Sequence, residues 1–194
     1  MNKRALLGVV IAAIVVGVLA LVFYRPFPPD KTPEGSYARI AKAIAEGRSR
    51  DVFPYLEQDA QDAAFTIHDM RKAACDLITR SYPAGTERDA LLASYRPEAD
   101  APDGPDVFLL LDKKAAFVAR LRKDLSGIAT IESQGERATI TTAKGTRYTF
   151  RRRPNGVWGL TRFTAEMLDE SEKASRDLAS VRAAADDYAR ARRD

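Results

Sequence analysis

Between Gly127 and Phe163 the hydrophobic period changes from that of a helix to two. GIATIES, RATITTA, TRYTFRR and VWGLTRF, at about 127–133, 137–143, 146–153 and 157–163, alternate residue by residue and are rich in Thr, Ile and aromatics. That is the pattern of strands with one buried and one open face. Their connections contain Gly135, Lys144-Gly145 and Asn155-Gly156, the residues that tight hairpin turns select. Connections this short leave no room for a crossover, so sequential strands must pair as an antiparallel meander.

On either side of the meander the apolar spacing is helical. Thr32-Pro33-Glu34 has the order of cap, first helical residue and acidic first turn. Tyr37, Ile40, Ala41 and Ile44 follow at helical spacing before Gly47. Further helices are predicted at Arg50–Leu56, at about 59–81 and from Thr86 through Tyr95. RPEADAPDGPD reads as a mobile loop. VFLLLDKKAAFVARLRKDL reads as one amphipathic helix that buries Phe108, Leu111, Ala115, Val118 and Leu125. A long C-terminal helix is predicted from Ala165 to Arg193. The expected fold class is therefore α+β, with several helices packed on a four-stranded antiparallel meander and a long helix after it.

Ala5 to Tyr24 is a run of 20 residues without a charge. At 1.5 Å per residue it covers the hydrocarbon layer of about 30 Å. Phe23 and Tyr24 stand where interfacial aromatics anchor a span, and Lys3 and Arg4 precede it. The run exceeds the apolar stretch of about 7–15 residues found in a cleaved signal peptide. The adopted reading is an uncleaved single-pass signal anchor in the inner (cell) membrane of a bacterium. Its N-terminus is cytoplasmic and the remainder extracytoplasmic (periplasmic); cleavage near Ala20 is the alternative. This divides the chain into residues 1–25 (tip and transmembrane anchor, in contact with the lipid bilayer through residues 5–24), a proline-rich spacer at 26–33, an α+β domain at 34–163 and a terminal helix at 164–194.

The net charge of +4 falls to +1 once Lys3, Arg4 and Arg25 are set aside, so the domain is not basic overall. Locally it is: Arg137 to Arg162 contains seven basic residues and no acidic one. Alternation puts Tyr148 and Phe150 on one face of the hairpin and Arg147, Arg151 and Arg153 on the other. Trp158 and Leu160 continue the apolar side. Arg137, Lys144, Arg147, Arg151, Arg153 and Arg162 form a candidate patch for an anionic partner. The alternative is a solvated face neutralised by Glu166, Asp169, Glu170 and Glu172 of the following helix. Outside the cytoplasm, nucleic acid is not an expected partner. In the terminal helix Leu178, Val181 and Tyr188 lie along an apolar seam that suits helix association, either within the chain or in a homo-oligomer.

Catalytic constellations are sparse. The only histidine, His68, and the only cysteine, Cys75, are seven apart on one predicted helix, about 10 Å along its axis, too far for proton transfer. Cys75 is expected to be buried as a small hydrophobe. Glu57, Asp59 and Asp62 cluster near a helix start, where carboxylates stabilise the dipole without chemistry. No catalytic residue, metal ligand or cofactor site is assigned.

TPEGSYARIAKAIAEGRSRDVFPYL and RATITTAKGTRYTFRRRPNGVWGLTRF resemble the NTF2-like superfamily of cystatin-like rolls, found in exported or membrane-anchored bacterial proteins. The resemblance implies helices on a curved antiparallel sheet around a cone-shaped pocket that Tyr148, Phe150, Trp158 and Leu160 face or fill. The leading expectation is an anchored, non-catalytic binding or scaffolding domain. The alternatives are a small-molecule-binding pocket domain and, behind it, an enzyme that relies on carboxylates.

Overall fold

The computed structural model describes residues 27–192; the apolar run Ala5–Tyr24 lies outside them. Helix α1 spans Pro33–Ala45, followed by a 3₁₀ helix at Ser49–Tyr55 and a long α2 at Gln58–Ser81. Next come α3 (Thr86–Ala99), α4 (Gly104–Ala115) and α5 (Phe117–Asp124). Strands β1 (Ile128–Gln134), β2 (Arg137–Thr142), β3 (Arg147–Arg152) and β4 (Trp158–Leu160) precede α6 (Thr164–Ala191). The α+β class and the meander are therefore present, with strand order β1-β2-β3-β4 and antiparallel pairing throughout. The three turn glycines Gly135, Gly145 and Gly156 have φ of 59°, 81° and 84°, the left-handed backbone that such turns require.

The start of α1 is capped as its sequence implies: the Thr32 hydroxyl accepts from the Gly35 amide at 3.1 Å. Three expectations fail locally. The stretch from Val107 to Leu125 is two helices, because Ala116 adopts φ 54°, ψ 39°. The Asp112 carboxylate then accepts from the Val118 amide at 2.8 Å and serves the new helix start. The break turns Phe117 inward, stacked 5.9 Å from Phe108 and 4.7 Å from Phe163, and leaves Ala115 exposed rather than in the core. Second, α3 begins at Thr86 instead of being capped by it, and continues through Pro97 to Ala99. Third, only residues 100–103 separate it from α4, and they are tied down. Ala101 is buried, and Asp103 accepts from the Asp106 amide at 3.1 Å. Cys75 is half-buried, and burial pushes its thiol pKa up.

The core is in two parts. The larger lies between α1, the 3₁₀ helix, the first half of α2, α4, α5 and the inner face of the sheet, with Ile40, Leu56, Ile67, Phe108, Ile140 and Phe163 fully enclosed. The smaller joins the second half of α2 to α3 and α6 through Ala74, Ile78, Tyr82, Leu92, Leu178 and Val181. The edge strand β1 stays open along its length except at Ile128. The opposite edge, β4, is covered: Leu56 bridges Leu160 in parallel, and the Glu57 amide donates to the Leu160 carbonyl at 3.0 Å.

Candidate functional site

The two faces of the hairpin have the characters its alternation predicts. Tyr148, Phe150, Trp158 and Leu160 are all buried and belong to the main core. Trp158 donates its indole N–H to the Lys31 carbonyl at 3.2 Å. The Tyr148 ring lies 5.6 Å from that of Tyr37 and beneath the Arg162 guanidinium, 5.5 Å away. Two tyrosine hydroxyls in this region differ sharply. That of Tyr37 donates to the Ser126 carbonyl at 2.6 Å and accepts from the Ser126 amide at 3.2 Å. That of Tyr148 is buried without a partner among the described residues, and burial raises its pKa to about 12.

Most cations of the candidate patch have protein partners. Arg147 approaches Glu132 at 3.8 Å, Arg151 meets Glu57 at 3.2 Å and Asp59 at 3.6 Å, and Arg162 meets Asp124 at 3.0 Å. Lys144 donates to the Lys123 carbonyl at 3.0 Å, and Arg153 to the carbonyls of Pro54 and Leu56 at 2.7 and 3.3 Å. Arg137 is exposed at the strand end. The acids come from β1, the start of α2 and the end of α5, not from α6, whose Glu166 pairs with Arg120 at 2.6 Å. Arg153 has its pKa lowered because its desolvation outweighs the opposing charge of Asp62. A cleft of about 420 Å³ opens here, lined by Glu57, Asp59, Glu136, Arg151, Arg152 and Arg153.

Glu57 is buried, and both its oxygens are engaged: Arg151 donates to one, and the Thr164 hydroxyl to the other at 2.7 Å. A carboxylate held in this way ties α2 to β3 and to the start of α6. His68 is paired with neighbouring Asp69 at 2.9 Å. No group of three or more His, Cys, Asp or Glu among the described residues is arranged to hold a metal ion.

The seam of α6 is used within the chain. Leu178 and Val181 are buried against α2 and α3, Tyr188 stands edge-on to Tyr82 at 4.9 Å, and its hydroxyl donates to Glu87 at 3.3 Å. Beside this seam lies a group that sequence reasoning missed. Arg71 and Glu98, 5% and 4% exposed, are joined at 3.1 Å. Asp177 meets Arg71 at 2.6 Å, Lys114 meets Glu98 at 2.6 Å, and the Tyr95 ring lies 4.3 Å from the guanidinium. One signal was present: Arg71 occupies the same helical stripe as Ile67, Ala74 and Ile78.

Comparison with known proteins supplies no relative, since no family model, curated protein or solved structure matches the chain.

Proposed function

We propose that the chain is a single-pass, membrane-anchored extracytoplasmic domain that binds or scaffolds without chemistry of its own. The observation that carries this reading is the charge-free run Ala5–Tyr24, preceded by Lys3 and Arg4 and separated by only Arg25-Pro26 from an ordered domain. Among the described residues no helix is long and apolar enough to cross a membrane, so the anchor rests on that run. The burial of the sheet's apolar face directs binding to the outer surface, where the hairpin arginines alternate with carboxylates. A surface of mixed sign suits a protein partner better than a polyanion. Alkaline carbonate extraction of membranes from expressing cells tests the anchor. The full-length chain stays in the pellet, whereas release into the supernatant would contradict the reading.

A second reading, a small-molecule pocket of the NTF2-like kind, draws on the unpartnered Tyr148 hydroxyl, because a buried hydroxyl normally has a partner. The two readings diverge at one substitution. In a filled core, Tyr148→Phe removes only an unsatisfied group and leaves the melting temperature level or higher, whereas Tyr37→Phe loses two hydrogen bonds and costs about 1–2 kcal/mol. A pocket that uses the hydroxyl would instead show a ligand-induced thermal shift that Tyr148→Phe abolishes.

A further inference from the structure

The segment between the apolar run and α1 is fastened to the domain. Arg39 donates to the Pro28 carbonyl at 2.6 Å, the Ser36 hydroxyl to Asp30 at 3.0 Å, and the Thr32 amide and hydroxyl to Pro29 at 3.2 and 2.8 Å. Trp158 of β4 holds the Lys31 carbonyl. Pro29 presses so closely on α1 that a Cβ on Gly35 would stand 1.8 Å from its carbonyl oxygen. A spacer bound in this way transmits orientation, so the face from which it emerges is the face turned toward whatever lies before Phe27.

That face is basic and carries an aromatic. Phe27 is 47% exposed. The Arg39 guanidinium lies 4.8 Å and the Lys42 ammonium 5.7 Å from its ring centre. Together with Arg48, Asp51 and Tyr55 they line a cleft of about 370 Å³. Arg48 is neutralised by Asp51 at 2.8 Å and by Glu46. Lys42 has only a loose contact with Glu46 at 3.9 Å, with both side chains exposed. Arg39 donates to carbonyls and has no carboxylate partner among the described residues. Two cations are thus left largely uncompensated beside an exposed ring.

We propose that the Phe27–Arg39–Lys42 cleft docks the domain on anionic phospholipid headgroups of the membrane that holds Ala5–Tyr24. The proposal rests on the reading of that run as a span. The occupant follows from chain length and charge. Tyr24 and Phe27 are three Cα steps apart, at most about 11 Å whatever their conformation, which sets Phe27 in or just beyond the headgroup layer of about 5–8 Å on each side of a bilayer. An aromatic ring flanked by Arg and Lys has the composition that interfaces and anionic lipids attract.

Full-length chain in nanodiscs, with phosphatidylcholine alone or mixed with phosphatidylglycerol, provides the test. A dye at Ala45→Cys, beside the cleft, transfers energy to a headgroup-labelled lipid, and a dye at Ser133→Cys on β1 serves as the distant control, both with Cys75→Ala. Transfer from position 45 rises when phosphatidylglycerol is present and falls with added salt. In the Arg39→Gln, Lys42→Gln variant the docked-to-undocked ratio drops about twenty-fivefold, at about fivefold for each cation. Lys42→Glu, which leaves the Arg39–Pro28 bond in place, reproduces the direction of the effect. The lipid exchange requires no substitution and so cannot be confused with misfolding. Equal transfer from position 45 in both lipids, with the chain retained in the discs, overturns docking while leaving the anchor intact. A chain that carbonate strips from the discs overturns the anchor and the docking together.

Discussion

Arg71→Ala will destabilise the domain by about 3 kcal/mol, because it leaves the buried Glu98 carboxylate with Lys114 alone and takes from Asp177 its arginine partner. Burial works against the charge on Arg71, yet the hydrogen bond and charge of Asp177, with the charge of Glu98, raise its pKa above the ordinary arginine value. The guanidinium therefore stays charged at any pH the fold survives. Lys114 compensates only in part, since its own side chain is two-thirds exposed and it bonds the other oxygen of Glu98, not the one Arg71 leaves. The penalty belongs to the orphaned charge and not to the pair as such. Replacing both partners by apolar residues of similar size, Arg71→Met with Glu98→Leu, should recover most of the loss. Chemical denaturation of the two variants separates these effects. Equal losses in the single and double variants would show that Arg71 contributes mainly packing.

Gly159→Ala will detach β4 from the helical layer. A Cβ at this position stands 2.5 Å from the Glu57 Cα and 2.6 Å from the Leu56 carbonyl oxygen. These are backbone atoms, which cannot step aside as a side chain can. To admit the methyl group, the chain must open the Leu56–Leu160 bridge and the bond from the Glu57 amide to Leu160. It must also disturb the hold of Glu57 on Arg151 and Thr164. The expected cost is about 3 kcal/mol, at the upper end of overpacking penalties. Gly127→Ala is the matched control: a Cβ there meets nothing within 4 Å, and stability changes by less than about 1 kcal/mol. A melting temperature for Gly159→Ala equal to that of the control would mean that β4 packs more loosely than these contacts imply.

What was legible in the sequence was local. The meander could be read because its turns are too short for any other connection and their glycines are needed at positive φ. The faces of the hairpin could be read because alternation fixes them. The break at Ala116 could not, since an alanine in left-handed geometry carries no mark in the sequence. It is imposed by Asp112 capping the next turn and by Phe117 finding a place between Phe108 and Phe163. The partners of Arg71 lie 27 and 106 residues away, so only the oddity of an arginine in an apolar stripe was visible. The seam of α6 was visible too, but not that α2 and α3 would occupy it. Substitutions at Leu178 or Val181 therefore report first on folding, and self-association cannot be read from them alone. The outer arginines read as a patch because their acids arrive from β1, α2 and α5, which no local window connects.

Protease protection with a tag after Asp194 tests the account's central claim most directly. If the domain is anchored outside the cytoplasm, protease added to cells with an opened outer envelope and an intact inner membrane removes the tag. A cytoplasmic control protein survives the same treatment. A tag cut only after the inner membrane is broken would place the domain in the cytoplasm and contradict the proposed orientation.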